Sequence, residues 1–246
     1  MKKLKVCWFS AGVSSFIAAY LAKDIDKIIY IDIDDQHPDS MRFVKDCEKV
    51  LGKPIEILKS TLKSVENAVR MGGVIRHPVT GFAPCTNYLK KRVRQEWERE
   101  HADFEITYVW GFDLNEKHRA ERLLETMIEF NHEFPLIENA LMKQDCHAMA
   151  SRLGVKRPAM YDLGYNNNNC IGCVKGGMGY WNKIRVDFPE VFKKRAELER
   201  IVGYSCLKEC YLDELEPNRG KMSEEISEDC GIYCELALYL QRKEEE

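Results

Sequence analysis

Along the first two thirds of the chain, short continuous apolar runs alternate with stretches of helical period. Residues 5–9 read as a first strand and 15–23 as the helix behind it. Ile28-Ile29-Tyr30-Ile31, inside Lys27–Asp32, is an apolar run of the kind shown by a parallel strand buried on both faces. Residues 39–51 have helical period and stop at Gly52. Ile55–Leu58 forms a third strand, and Ile106–Trp110 a fourth, stopped by Gly111. Helical period returns at about 116–131 and 143–153. Strands alternating with helices predict an α/β fold, a Rossmann-like doubly wound parallel sheet, and ligands of such sheets gather at the C-terminal strand ends. Three polar clusters fall there: the Ser10–Ser15 turn, Asp32-Ile33-Asp34-Asp35, and Gly111-Phe112-Asp113.

After residue 154 the pattern changes. A polar run, Asn166 to Asn169, leads into Cys170-Ile171-Gly172-Cys173 and a cluster of glycines, 189–202 is helical, and a tail from about 204 carries two Cys-x-x-x-Cys pairs. The expected organisation is an α/β nucleotide-binding domain over 1–160. A Cys-rich, mostly helical C-terminal region over 161–246 packs on its site.

Composition narrows the chemistry. With 246 residues, a net charge of −3 and no long apolar run, the chain predicts a globular cytoplasmic protein without a membrane span or signal peptide. No global basic field points to nucleic acid. The local run Lys90-Lys91-Arg92-Val93-Arg94 fits either a phosphate contact or the solvated face of a helix. Ten cysteines in a reducing compartment point to metal ligands or redox groups rather than structural disulfides. Cys7, Cys47 and Cys146 sit within apolar patterns and read as core; the other seven sit beside glycine, proline or polar residues.

The first turn, Ser10-Ala11-Gly12-Val13-Ser14-Ser15, has only small side chains, so backbone N–H groups and a helix N-terminus can approach a phosphate. It lacks the Gly-Lys-Ser/Thr of a Walker loop and the three glycines of the dinucleotide turn. Cys170-x-x-Cys173 presents two thiols from one tight turn, suited to zinc, an iron–sulfur cluster or a dithiol pair.

Several segments in the same order resemble the phosphoadenosine phosphosulfate (PAPS) reductase family, a branch of the PP-loop adenine nucleotide α-hydrolase superfamily. Ser10-x-Gly12-x-x-Ser15 resembles its phosphate loop. Tyr30-Ile31-Asp32 with His37-Pro38-Asp39-Ser40-Met41-Arg42-Phe43 resembles its strand-two acid and Pro-Glu-Thr-x-x-Phe helix. Cys85-Thr86-Asn87-Tyr88-Leu89-Lys90 resembles its Cys-x-x-x-Lys segment with one extra residue. Gly111-Phe112-Asp113 with Glu116, Arg119 and Arg122 resembles its Gly-x-Arg-x-x-Glu-x-x-x-Arg stretch. Leu163-Gly164-Tyr165 with Cys170 and Cys173 resembles its Gly-Tyr and Gly-Cys-x-x-Cys block. Ser14 stands where ATP-cleaving PP-loop enzymes usually carry Asp, which tilts the resemblance toward the sulfonucleotide branch.

The resemblance implies an enzyme that binds an adenine nucleotide (APS, PAPS, or ATP with Mg²⁺). Ser10, Gly12, Ser14, Ser15 and Gly111 would form the phosphate cradle, and Asp32 would meet ribose, adenine or metal. Lys90, Arg119 and Arg122 would neutralise phosphate or sulfate. It also implies a 4Fe-4S cluster on Cys85, Cys170 and Cys173, with a fourth thiolate from the tail, Cys234 or Cys230, or with one iron left open. Cys230, in Glu228-Asp229-Cys230-Gly231-Ile232-Tyr233, resembles the reductases' C-terminal nucleophile, with Tyr233 in place of a His. A thiol would supply electrons or sulfur, and a homodimer is compatible with the resemblance. One alternative is an ATP-dependent sulfurtransferase that thiolates a nucleobase of RNA. A second is a non-catalytic nucleotide- or zinc-binding module, with Cys206, Cys210, Cys230 and Cys234 as a zinc site.

Overall fold

A computed structural model describes residues 2–77 and 81–222. In chain order the main elements are β1 (Lys2–Phe9), α1 (Val13–Leu21), β2 (Lys27–Asp32), α2 (Asp39–Leu51), β3 (Ile55–Lys59) and α3 (Val65–Gly72). A continuous helical stretch follows: α4 (Pro84–Thr86), a π-helical turn (Asn87–Lys91) and α5 (Arg92–Glu100). Then come β4 (Phe104–Val109), α6 (Lys117–Thr126), β5 (Asn131–Glu133), α7 (Pro135–Glu138), α8 (Lys143–Arg152), α9 (Ala159–Asp162), α10 (Met178–Asp187) and α11 (Pro189–Val202).

The protein is α/β, with a five-stranded parallel sheet in the order β3-β2-β1-β4-β5. Cys7 pairs with Ile28 on one side of β1 and with Val109 on the other. The order reverses direction at β1, so the β1 and β4 C-terminal ends flank the switch point where open α/β sheets bind ligands.

Burial on both faces explains the continuous apolar runs. On one face Cys7 and Phe9 join Phe16, Ile17, Phe43, Cys47 and Cys146 in a core with no exposed member. On the other, Trp8 meets Trp97 edge-to-face at 5.7 Å and Tyr108 meets Phe130 at 5.0 Å. Each such side chain contributes about 1.5–3 kcal/mol by leaving water. The core reading of Cys7, Cys47 and Cys146 holds, and burial pushes the Cys7 and Cys146 thiols up to about 12.

Several boundaries differ from the sequence pattern. β1 starts at Lys2 rather than residue 5, because its pairing with β4 continues to Phe104. The helix expected over 15–23 is Val13–Leu21. The helix expected over 116–131 is a 3-10 turn, Leu114–Glu116, followed by α6, which closes at Met127. Asn131–Glu133 instead pairs with Thr107–Val109 as an edge strand, too short to show a period of its own. The α2 expectation is met at both ends, with Gly52 left-handed (φ 60°) after Leu51.

The described chain divides into two compact units. The first takes residues up to 32, 37–58 and 96–168; the second takes 33–36, 59–95 and the chain from 169. Among the described residues no helix is long and apolar enough to cross a membrane.

Candidate functional site

In the first unit, the turn between β1 and α1 is built around one unusual residue. Ala11, fully buried, has a left-handed backbone (φ 56°), a conformation that costs a non-glycine residue about 1 kcal/mol or more. Gly12 then serves as N-cap without a side chain, and α1 has no side-chain cap. The first intrahelical bond runs from Phe16 N–H to Gly12 C=O (3.1 Å). The N–H groups at the start of α1 therefore lack the intrahelical acceptors that later residues have.

The serines have distinct jobs. Ser15 Oγ donates to Gly12 C=O (2.9 Å) and accepts from Ser10 N–H (3.2 Å) and Ser10 Oγ (3.1 Å), closing the turn on itself. Ser14 Oγ is buried on the side of the Cys146 thiol, so Ser14 offers the cradle its backbone rather than its hydroxyl. Gly111, just past β4, lies so close that a Cβ there would stand 2.7 Å from Ser15 Cα and 2.8 Å from Ser15 N. Only glycine lets the chain after β4 approach the first turn of α1 in this way.

The turn is anchored from behind. The buried Asn168 donates from Nδ2 to Ala11 C=O (2.9 Å) and to Ser40 Oγ (3.0 Å). Asp39 takes a bidentate bond from Arg42 (2.6 and 2.9 Å) and accepts Ala159 N–H at 2.8 Å; the Arg42 guanidinium holds its carboxyl below the usual range. Arg42 also donates to Lys156 C=O and Arg157 C=O, so the Asp39-Ser40-x-Arg42 stretch fastens the start of α2 to this part of the unit. Sequence reasoning placed Ser40 and Arg42 in a family-like motif without a role, and passed over Asn168 as one of four asparagines in a polar run.

Of the other expected nucleotide contacts, Asp32 ends β2, half-buried, in this unit. Arg119 is ion-paired with Glu116 and lies over the Phe112 ring at 4.7 Å, so its charge is already answered. Arg122 is exposed on α6. His147 meets Tyr161 edge-on (4.7 Å), and burial, helped by Arg157 and Lys143, pushes its pKa down and favours a neutral ring.

The second unit holds Lys90 and the described cysteines outside the core. Arg92 N–H donates to Asn87 C=O, five residues back, which defines the π turn. Such a turn carries one residue more than an α turn. The basic run is not a solvated face: Lys91 and Arg94 are 1% and 5% exposed, Lys90 is half-buried, and Arg92 lies 4.3 Å over the Tyr88 ring.

The Cys170–Cys173 turn is bridged by a phenol. Tyr180 OH accepts Cys173 N–H (2.9 Å) and donates to Cys170 C=O (3.3 Å). Gly172 is left-handed (φ 68°), and Gly176 leaves room for the ring, since a Cβ there would stand 2.0 Å from Tyr180 Cδ1. Nearby, the buried Glu199 accepts Cys206 N–H (2.5 Å) and Leu212 N–H (2.6 Å); burial raises both its pKa and that of the Cys206 thiol. Asp35, in the second unit, pairs with buried Arg195 (3.0 Å) and accepts Val65 N–H. Among the described residues, no three His, Cys, Asp or Glu side chains form a group able to hold a metal ion. Cys230 and Cys234 lie outside the described residues.

No protein-family model matches the chain. It is similar to Uncharacterized protein MJ0066 of Methanocaldococcus jannaschii, 25% identical over 207 residues that cover 79% of this chain and 41% of that protein. The matched part of the chain thus corresponds to about two fifths of its relative's length.

Proposed function

We propose that this protein is an adenine-nucleotide-dependent sulfur-chemistry enzyme of the PP-loop type, acting on an adenylyl sulfate as sulfonucleotide reductases do. The observation that carries the proposal is the uncapped start of α1. It lies at the sheet's switch point, with Ala11 held left-handed and Gly111 clearing the approach. Gly12, Ser14 and Ser15 would offer backbone donors to phosphate, with Ser10 closing the turn on Ser15 Oγ. Asp32 would meet ribose or adenine, and Lys90 and Arg122 would answer the remaining charge, Arg119 being paired with Glu116. Because Ser14 turns its hydroxyl inward and no carboxylate stands in the loop, this turn favours adenylyl sulfate over Mg²⁺-dependent cleavage of ATP.

The thiols of the Cys-rich region would perform the chemistry. The Cys230 thiolate attacks the sulfur of adenylyl sulfate; the sulfur–oxygen bond to phosphate breaks, and AMP leaves with the electron pair. A thiol donor then displaces sulfite from the thiosulfonate, leaving a disulfide that further thiol reduces. A 4Fe-4S cluster on Cys85, Cys170, Cys173 and Cys234 is part of the proposal, but the described members alone form no metal-holding group, and no step above passes through a cluster. Sulfite release from APS and PAPS under anaerobic conditions with a thiol donor, beside iron and zinc content, tests this. Nucleotide-dependent sulfite release is expected. Its absence, with pyrophosphate or AMP release from ATP in the presence of RNA, would transfer the assignment to a thiolating enzyme.

A further inference from the structure

We infer that Asn168 is the positioning residue of the phosphate turn, setting the aim of its backbone donors through the Ala11 carbonyl; this rests on the nucleotide reading of that turn.

A left-handed alanine is unfavourable unless its surroundings fix it. Nothing covalent requires Ala11 to adopt φ 56°, and its side chain has no polar group to hold it there. What the structure supplies is the Asn168 amide, which pulls the Ala11 carbonyl toward the protein interior at 2.9 Å and anchors its second N–H on Ser40 Oγ at 3.0 Å. Drawing the carbonyl inward points the N–H of the same trans peptide, at Gly12, the opposite way, at the entry to the open first turn of α1.

The anchor is rigid at each point. Asn168 is 6% exposed and Ser40 1% exposed. Ser40 lies on α2, whose start the Asp39–Arg42 pair ties to Lys156, Arg157 and Ala159. Asn168 Oδ1 is buried and has no hydrogen-bond partner among the described residues. A buried acceptor left in this way is costly, and the amide is retained nevertheless, as expected if its two donor bonds matter more than its own satisfaction. Aspartate could not substitute: a carboxylate has no N–H for Ala11 C=O and would place a negative charge behind an anion site.

The test uses the full-length protein. Affinities for APS, AMP and adenosine are measured calorimetrically on wild type, Asn168→Ala, Asn168→Asp and Ser40→Ala, with the backbone coupling constant of Ala11 read by NMR in the ligand-free state. Asn168→Ala is expected to weaken APS and AMP about tenfold and Asn168→Asp more, while adenosine binding stays unchanged, because only phosphate contacts depend on the turn. Ser40→Ala is expected to fall between wild type and Asn168→Ala. A merely structural role would weaken all three ligands together. Equal phosphate affinities in wild type and both Asn168 variants would overturn the inference and leave the nucleotide reading standing. If wild type binds no phosphate ligand, the nucleotide reading falls. The Ala11 coupling then decides the positioning role: a change from its left-handed value in Asn168→Ala supports it, and no change overturns it.

Discussion

Two turns in this protein share a design and differ in what they offer. The Ser10–Ser15 turn of the first unit and the Cys170–Cys173 turn of the second each contain a left-handed residue, Ala11 and Gly172, and each lies ahead of a helix without a side-chain cap, α1 and α10. In the first, side chains are withdrawn: Ser15 closes the turn, Ser14 faces inward, and backbone N–H groups are what remains for a ligand. In the second, the backbone is withdrawn: Tyr180 takes up Cys173 N–H and Cys170 C=O. Similar backbones thus leave different groups engaged, side chains in one turn and backbone in the other, and the difference lies with the groups that occupy the hydrogen bonds.

The comparison breaks most readily at the glycines. Gly111→Ala would drive a Cβ into Ser15 backbone that cannot move aside, so a loss of about 2–3 kcal/mol is expected, with loss of nucleotide binding; chemical denaturation and calorimetry check both. Gly176→Ala meets the Tyr180 ring rather than backbone, and the ring can shift at the expense of its two bonds. About 1–3 kcal/mol is expected there, with faster alkylation of Cys170 and Cys173 and unchanged AMP affinity. A variant that instead weakened AMP would show that the two turns are not independent in function.

Tyr180→Phe sharpens the contrast by removing the bridge without touching the packing of the ring. It is expected to cost about 1–2 kcal/mol, since Cys173 N–H and Cys170 C=O lose their partner, and to raise thiol alkylation rates. Unchanged rates would mean that the phenol only fills space.

The smallest effect concerns His147. Burial lowers its folded pKa below the ordinary 6.5, so the unfolded chain takes up the proton first as pH falls. The stability this group contributes is present above about pH 6.5 and is lost as pH falls from there toward the folded value. Melting temperatures between about pH 8 and pH 5 should therefore decline less steeply in His147→Gln than in wild type. Parallel slopes would assign the decline to other groups.

Much of the sheet was legible because parallel strands buried on both faces leave unbroken apolar runs: Ile28–Ile31 is the clearest case, and Gly52 marks the end of α2 as its left-handed geometry requires. β5 was not legible, because three residues whose pairing depends on β4 carry no period of their own. The π turn at Asn87–Lys91 was not legible, and the burial of Lys91 and Arg94 was invisible to charge counting. The Ser10–Ser15 turn between β1 and α1 could be read from its small residues. Its anchor could not, since Asn168 is 157 residues from Ala11 and nothing local distinguishes it from its neighbours.

The central claim is that the open start of α1 receives the phosphate end of an adenine nucleotide. The most direct measurement is an amide NMR titration of the full-length protein with adenosine 5′-phosphosulfate, using adenosine as the control. Saturable shifts at Gly12, Val13, Ser14 and Ser15 with the phosphosulfate, and none at those residues with adenosine, are the predicted result. Binding that leaves those amides unmoved would contradict it.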